Sequence, residues 1–421
     1  MKFSTRLPAA LDDNALARAV AARRAAGKII YDLTLSNPTQ AGFDYPTKEI
    51  ASALAEGAAA SYTPEPRGLR FARKAIANDY RGRGPDTVDP ARLCLTASTS
   101  EAYGFLFKLL GEPGAEILAP RPSYPLIEHL AALEGWKTRY YPLTWEGRPP
   151  CRPSEAKVRQ RTTRRSSLPA ETSGWRMDYA ALTAAITPAT RAIAIIHPHN
   201  PTGWMVRNTD AHFLLETCEK HRVALIADEV FLDYTATKSN ALAQSFAAHK
   251  VSVLTFTLGG LSKSCALPQL KLAWIHVGGP AEQVAAAQAR LDFIADAYLS
   301  VATPVQAALP KLFRCGKKIR AQIQKRIAEN YATLASLDWP EGFSVLPYAA
   351  GWSALLRRPT APDEEKLALK LLDRAGVLAH PGYFFDFDSA GPGYHIISLL
   401  PEPGIFRSGV AALRELLPKW L

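Results

Sequence analysis

Val251-Ser252-Val253-Leu254-Thr255-Phe256-Thr257-Leu258-Gly259-Gly260-Leu261-Ser262-Lys263-Ser264 runs an apolar stretch into a glycine pair and then into a lysine. The apolar part has the length and β-branched content of a strand. A lysine at the buried end of a strand is costly to keep charged, so its pKa falls and its amine becomes a usable nucleophile toward a carbonyl. Alone, the lysine could equally be a solvated loop residue. Three other strand ends give it weight.

Arg191-Ala192-Ile193-Ala194-Ile195-Ile196 is a continuous apolar strand of the kind buried on both faces of a parallel sheet. It enters His197-Pro198-His199-Asn200-Pro201-Thr202-Gly203, where two prolines and a glycine make a stiff turn. Asn200 is thereby presented at the carboxyl end of its strand, where open α/β sheets bind ligands. Val223-Ala224-Leu225-Ile226-Ala227-Asp228 places a carboxylate at the end of another buried strand. An aspartate there calls for a cationic or proton-bearing mate, a core arginine or a protonated ring nitrogen. Arg92-Leu93-Cys94-Leu95-Thr96-Ala97 leads into Ser98-Thr99-Ser100-Glu101, and apolar residues at 102, 105, 106 and 109 follow with helical spacing. Ser98 and Glu101 form a capping box, and three hydroxyl residues at a helix start suit a phosphate. An amine, a carboxylate, an amide and a hydroxyl-rich helix start are together the groups that a pyridoxal phosphate site needs.

Asn200-Pro201-Thr202-Gly203, Asp228-Glu229-Val230 and Ser262-Lys263, in this order and spacing, resemble the class I/II aminotransferase family of fold-type I pyridoxal phosphate enzymes. Ser36-Asn37-Pro38, Tyr62-Thr63-Pro64-Glu65-Pro66-Arg67-Gly68 and Pro120-Arg121-Pro122-Ser123-Tyr124-Pro125 extend the resemblance over most of the chain. It implies an α/β fold with a three-layer αβα large domain over residues 47–297, built on a mostly parallel seven-stranded sheet. A smaller α+β domain would comprise residues 1–46 and 298–421. It further implies that Lys263 holds pyridoxal 5'-phosphate as a Schiff base and then moves the substrate proton. Asp228 would pair with the ring nitrogen, Asn200 with the ring oxygen, and Tyr124 would stack on the ring. Ser98, Thr99 and Ser100 would cradle the phosphate, with Tyr62 arriving from the second subunit of a homodimer. The implied reaction is ping-pong transfer of an amino group from an amine or amino acid to an oxo acid. A β-eliminating C–S lyase on the same scaffold would use the same residues.

The departures from the family pattern bear on the substrate. Phe231 stands where the family has a tyrosine that donates to the ring oxygen, and Lys271 replaces a phosphate-binding arginine. In Gly393-Tyr394-His395-Ile396-Ile397-Ser398, Ile396 falls where the family places the arginine that binds the substrate α-carboxylate. Either another cation serves or the donor lacks that carboxylate. His395, on the opposite strand face by alternation, His380 and the neutral Asn37 are the candidates for holding a substrate oxygen.

Of 421 residues 48% are hydrophobic, enough for a large core, and no apolar run is long enough to cross a membrane. The five cysteines are scattered and lack metal-ligand spacing, so no metal is expected and a reducing cytoplasm is. The formal charge of +11 suggests a polyanion until its source is found. Residues 148–171 carry seven basic and two acidic residues, which is +5 of the +11. This Pro/Ser/Arg-rich stretch makes 146–174 a basic loop insertion without base-stacking platforms, so no nucleic-acid partner is expected.

Overall fold

The computed structural model describes residues 3–8, 13–58, 61–81, 83–146, 174–236, 242–360 and 363–420. The basic insertion, apart from its flanks Glu146 and Gly174, lies outside the described residues.

A short parallel pair joins β1 (Tyr31–Asp32) to β12 (Val377–Leu378). The main sheet has eight strands in the order β2 (Leu93–Thr96), β9 (Ala273–Gly278), β8 (Thr255–Gly260), β7 (Ala224–Asp228), β6 (Thr190–Ile196), β3 (Glu116–Arg121), β4 (Lys137–Glu146), β5 (Gly174–Met177). Strands β8, β7, β6, β3 and β4 run parallel, while β9 is antiparallel to both of its neighbours. The expected seven strands are joined by β5, which closes an antiparallel ribbon on β4 at the edge. A second sheet orders β10 (Ser344–Val345), β11 (Ser353–Arg357), β14 (Tyr394–Ser398) and β13 (His380–Pro381), all antiparallel.

The central strands are apolar on both faces because both are covered. Ile193, Leu225 and Ile195 pack into one cluster with Leu214 and Tyr394. Ala192, Ile226 and Phe256 pack on the other side against Phe105 and Leu106 of the helix Thr99–Leu110 and Leu291 of the helix Ala281–Tyr298. The 34-residue helix Thr303–Ser336 gathers the third and largest cluster, which takes in the β11 and β14 residues Leu356 and Ile397.

This packing explains the glycine pair before Lys263. A Cβ on Gly259 would stand 2.6 Å from the indole of Trp274 on β9, and one on Gly260 would stand 3.0 Å from the Ala273 Cβ. Trp274 is 2% exposed and donates from Nε1 to Tyr80 Oη at 3.0 Å, so it has no room to yield. Gly259→Ala is therefore expected to lower stability by about 1–3 kcal/mol, the cost of overpacking a filled core. Urea midpoints of the two proteins check this.

Candidate active site

The carboxyl ends of β6, β7 and β8 open on one cavity of about 310 Å³, closed from the far side by β11, β13 and β14. Lys263 enters it from the single helical turn Leu261–Ser264 that follows β8 directly. Its ammonium lies 4.6 Å from the centre of the Trp352 ring and 5.5 Å from that of Phe231. Burial among these rings lowers its pKa to about 8, against the opposing pull of Asp228. The turn itself is pinned. Tyr234 Oη donates to the Lys263 carbonyl at 2.7 Å, and Arg320, paired with Asp233 at 2.9 Å, donates to the Ser264 carbonyl at 3.0 Å.

Asp228 ends β7 and is 9% exposed. Burial raises its pKa to about 6; the Val230 N–H, 3.2 Å from Oδ1, then the Tyr103 hydroxyl and Lys263 act the other way. Tyr103 Oη stands close to that carboxylate without completing a well-formed hydrogen bond. The next residue, Glu229, turns from the cavity and accepts from Ser245 Oγ at 2.5 Å and Phe246 N at 2.6 Å. At neutral pH the cavity thus holds one ammonium and one carboxylate, neither in a salt bridge among the described residues.

Asn200 is placed in the cavity by its turn. The Gly203 N–H donates to the His199 carbonyl at 2.8 Å, and Gly203 has φ +68° with Ala350 O only 2.7 Å from where a Cβ would sit. Tyr124 lines the cavity, 46% exposed, as do Phe231 and Thr99. Thr99 is the first residue of its helix, whose N-cap Ser98 accepts from Glu101 N at 3.1 Å while Glu101 Oε2 accepts from Ala97 N at 2.6 Å.

Other expected residues stand elsewhere. Ser98 and Ser100 are half-buried beside Thr99 but do not line the cavity. Lys271 is exposed, at φ +47°, and also off the lining. Tyr62 is 72% exposed on a separate small pocket. Asn37 is committed to capping a turn, accepting from Thr39 N at 3.1 Å and Thr39 Oγ1 at 2.8 Å, and its neighbour Ser36 lines the cavity instead. His395 does not reach the cavity at all. Strand alternation gives that face to Tyr394, Ile396 and Ser398, leaving His395 fully buried opposite Leu356 and Pro381. Burial takes its pKa down to about 3, so it stays neutral. His380 does line the cavity, stacked on Phe384 at 4.8 Å, and burial lowers its pKa to about 4. Ile396 forms part of the floor.

Several lining residues have no counterpart among the expected ones, Thr34, Tyr103, Trp352 and Ser353 among them. Tyr103 and Trp352 matter most, since their Oη and Nε1 are buried without partners. A cavity with a low-pKa amine, an unpaired carboxylate, an amide and two unmet polar atoms fits a pyridine aldehyde bearing a ring nitrogen and oxygens. The donor set fits pyridoxal phosphate.

Residues 28–399 match the family model for aminotransferase class I and II. The glutamate-pyruvate aminotransferase AlaA of Escherichia coli is 27% identical over 283 residues, which cover 67% of this chain and 63% of that protein. The match therefore spans less than two thirds of that relative's length. The protein of the same name from Haemophilus influenzae is 26% identical over 398 residues, covering 93% of this chain and 91% of its own. The alanine aminotransferase of Pyrococcus furiosus has the same fold, with a TM-score of 0.80 at 22% identity over 99% of this chain and 100% of that one.

Proposed function

The chain belongs to the class I and II aminotransferase family, and from that membership we propose that it is a pyridoxal phosphate-dependent aminotransferase passing an amino group from an amine or amino acid to an oxo acid. One observation carries the reading: a buried amine with its pKa lowered to about 8 shares a cavity with a buried carboxylate that has no other cation beside it among the described residues. The cofactor, when bound, supplies the electron-withdrawing ring that acidifies the C–H bond beside the donor nitrogen.

Lys263 is the amine that carries the cofactor aldehyde and, once released, the base that moves the proton from the donor carbon. Its lowered pKa makes a large share of it neutral near pH 8, which both tasks require. Asp228 holds the ring nitrogen protonated, and Tyr103 and the Val230 N–H orient its carboxylate. Asn200 donates to the ring oxygen, and Tyr124 covers the ring. Thr99 and the N–H groups of its helix start receive the phosphate at the cavity wall, with Ser98 and Ser100 flanking it and Lys271, exposed and off the lining, adding charge from a distance. Tyr62 of the partner subunit completes the phosphate site in a homodimer. Tyr62 at 72%, Phe293 at 81% and Tyr298 at 51% exposure are large apolar side chains of the kind that such a dimer would cover. The division into a large domain over 47–297 and a small one from both chain ends belongs to the same reading. So does a reducing cytoplasm, in keeping with the four cysteines among the described residues, which are buried and unpaired. Among the described residues no helix is long and apolar enough to cross a membrane.

Borohydride reduction of the purified protein followed by peptide mapping is expected to tag Lys263. Amine donors should then bleach the visible band of the unreduced protein, and an oxo acid should restore it. Sustained turnover without any oxo acid would instead identify an eliminating lyase.

Phe231 has no hydroxyl to give the ring oxygen. Phe231→Tyr adds a donor that stabilises the ionised oxygen and so disfavours protonation of the neighbouring nitrogen. The pH midpoint of the visible band is expected to fall by about one unit, the worth of one hydrogen bond. A spectrophotometric titration with an unmoved midpoint would remove the argument.

A further inference from the structure

Beside the cavity lies a second cleft of about 850 Å³ between the β4–β5 ribbon and the β11–β14 pair. Three of its wall residues bury an N–H that no acceptor meets among the described residues: Arg357 at Nε, Trp145 at Nε1 and Trp175 at Nε1. Guanidinium and indole groups donate only. Trp175 is 7% exposed and packs edge-on to Trp145 at 5.7 Å, so its N–H is fixed in place. Unmet buried donors cost free energy, and three in one cleft call for an oxygen-bearing acceptor. Arg357 also has no carboxylate within ion-pair distance among the described residues. The acidic residues of the cleft are otherwise engaged: Asp386 pairs with Arg121 at 3.2 Å, and Asp388 Oδ1 accepts from Ala390 N at 2.8 Å.

The cleft adjoins the cavity on three segments. Tyr124, Phe385 and Ile396 line the cavity, while Arg121, Asp386 and Tyr394 line the cleft. The registers Ser353↔Ser398, Leu355↔Ile396 and Arg357↔Tyr394 put all three rungs on one sheet face. Arg357 therefore stands one rung, about 7 Å, beyond Ile396. On the cavity side Lys263 is the only lysine or arginine of the lining among the described residues, and burial holds His380 neutral.

We propose that this cleft, centred on Arg357, binds a carboxylate of the substrate, which is accordingly an amine whose acid group lies several bonds from the reacting carbon. The inference rests on the aminotransferase reading. It makes the enzyme selective for ω-amino acids, with the apolar stem crossing Ile396 and Phe385 and the carboxylate meeting Arg357 and the two indole N–H groups.

The test compares bleaching of the visible band by alanine, by ω-amino acids of three to six carbons, and by hexylamine. Wild type should favour 6-aminohexanoate over hexylamine by at least tenfold, the lower end for a charge-assisted contact. Arg357→Gln should bring that ratio to about one, and Arg357→Lys should keep part of it. Calorimetry with hexanoate, which cannot react, should show affinity falling at least tenfold in Arg357→Gln. An unchanged ratio and unchanged hexanoate affinity in Arg357→Gln, or alanine outpacing every ω-amino acid, would overturn the proposal while bleaching itself kept the aminotransferase reading intact. If no amine bleached the band, that reading would fall and this one with it.

Discussion

Lys263→Met is expected to abolish the visible band of bound cofactor and to cut turnover by about 10⁴-fold or more, the upper end of what a positioned proton-transfer group contributes. The same substitution should stabilise the cofactor-free protein. The wild-type amine has its pKa lowered from 10.5 to about 8 by burial. Between those values the unfolded chain holds a proton that the folded one has released, so stability rises with pH across that window. Below pH 8 the folded protein bears the full cost of a buried ammonium. A shift of this size corresponds to roughly 3 kcal/mol. Methionine fills similar space without charge, so the variant should exceed wild type by that order at pH 7, with the gap closing above about pH 10.5. Urea titrations at pH 7 and pH 10.5 give the comparison. A variant no more stable than wild type at pH 7 would mean that the amine is already well solvated, and the argument for its nucleophilicity would weaken with it.

What the sequence made legible follows the grain of the main sheet. Asp228, Asn200 and Lys263 interrupt or end runs of apolar residues, and a polar group at the end of a buried strand can be located from the run alone. Thr99 was legible for a related reason, as the first residue after a capping serine. Trp352 and Ser353 were not, because nothing in Gly351-Trp352-Ser353 says that β11 folds back over the carboxyl ends of strands that lie far earlier in the chain. Tyr103 was hidden differently: it sits on a helix whose neighbours at 102, 105 and 106 are plain core. Its hydroxyl acquires meaning only beside Asp228. Asn37 and Ser36 show the limit of reading by adjacency, since Asn37 accepts from Thr39 N and Thr39 Oγ1 in a turn cap while Ser36 lines the cavity. For Ile396 and His395, strand alternation was sufficient to predict which would face inward. It could not show that Arg357, a cation with no carboxylate partner among the described residues, lies on the neighbouring strand, since cross-strand register is a property of the folded pair.

Asp228→Asn provides the second large effect, and it acts through charge alone. The amide keeps the size of the carboxylate and can still accept from the Val230 N–H, so packing is conserved. What is lost is the negative charge that keeps a ring nitrogen protonated, and removal of one such preorganised electrostatic partner costs about 10²–10³ in kcat. Stability should move the other way in the cofactor-free protein. Burial raises the Asp228 pKa from 3.8 to about 6, so between those values the folded chain holds a proton that the unfolded one has lost. Wild-type stability therefore falls as pH rises from about 4 to 6, by an amount on the order of 3 kcal/mol. Asparagine does not titrate, so the variant should match wild type near pH 4 and exceed it at pH 7. Lys263 partly supports the Asp228 charge, which makes the two substitutions interdependent. Once Lys263→Met has removed the ammonium, the charged Asp228 stands alone, and Asp228→Asn in that background should stabilise more than it does in wild type. Equal gains in both backgrounds would show that the ammonium and the carboxylate do not feel each other, and the cavity would then be two separate buried charges and not one site.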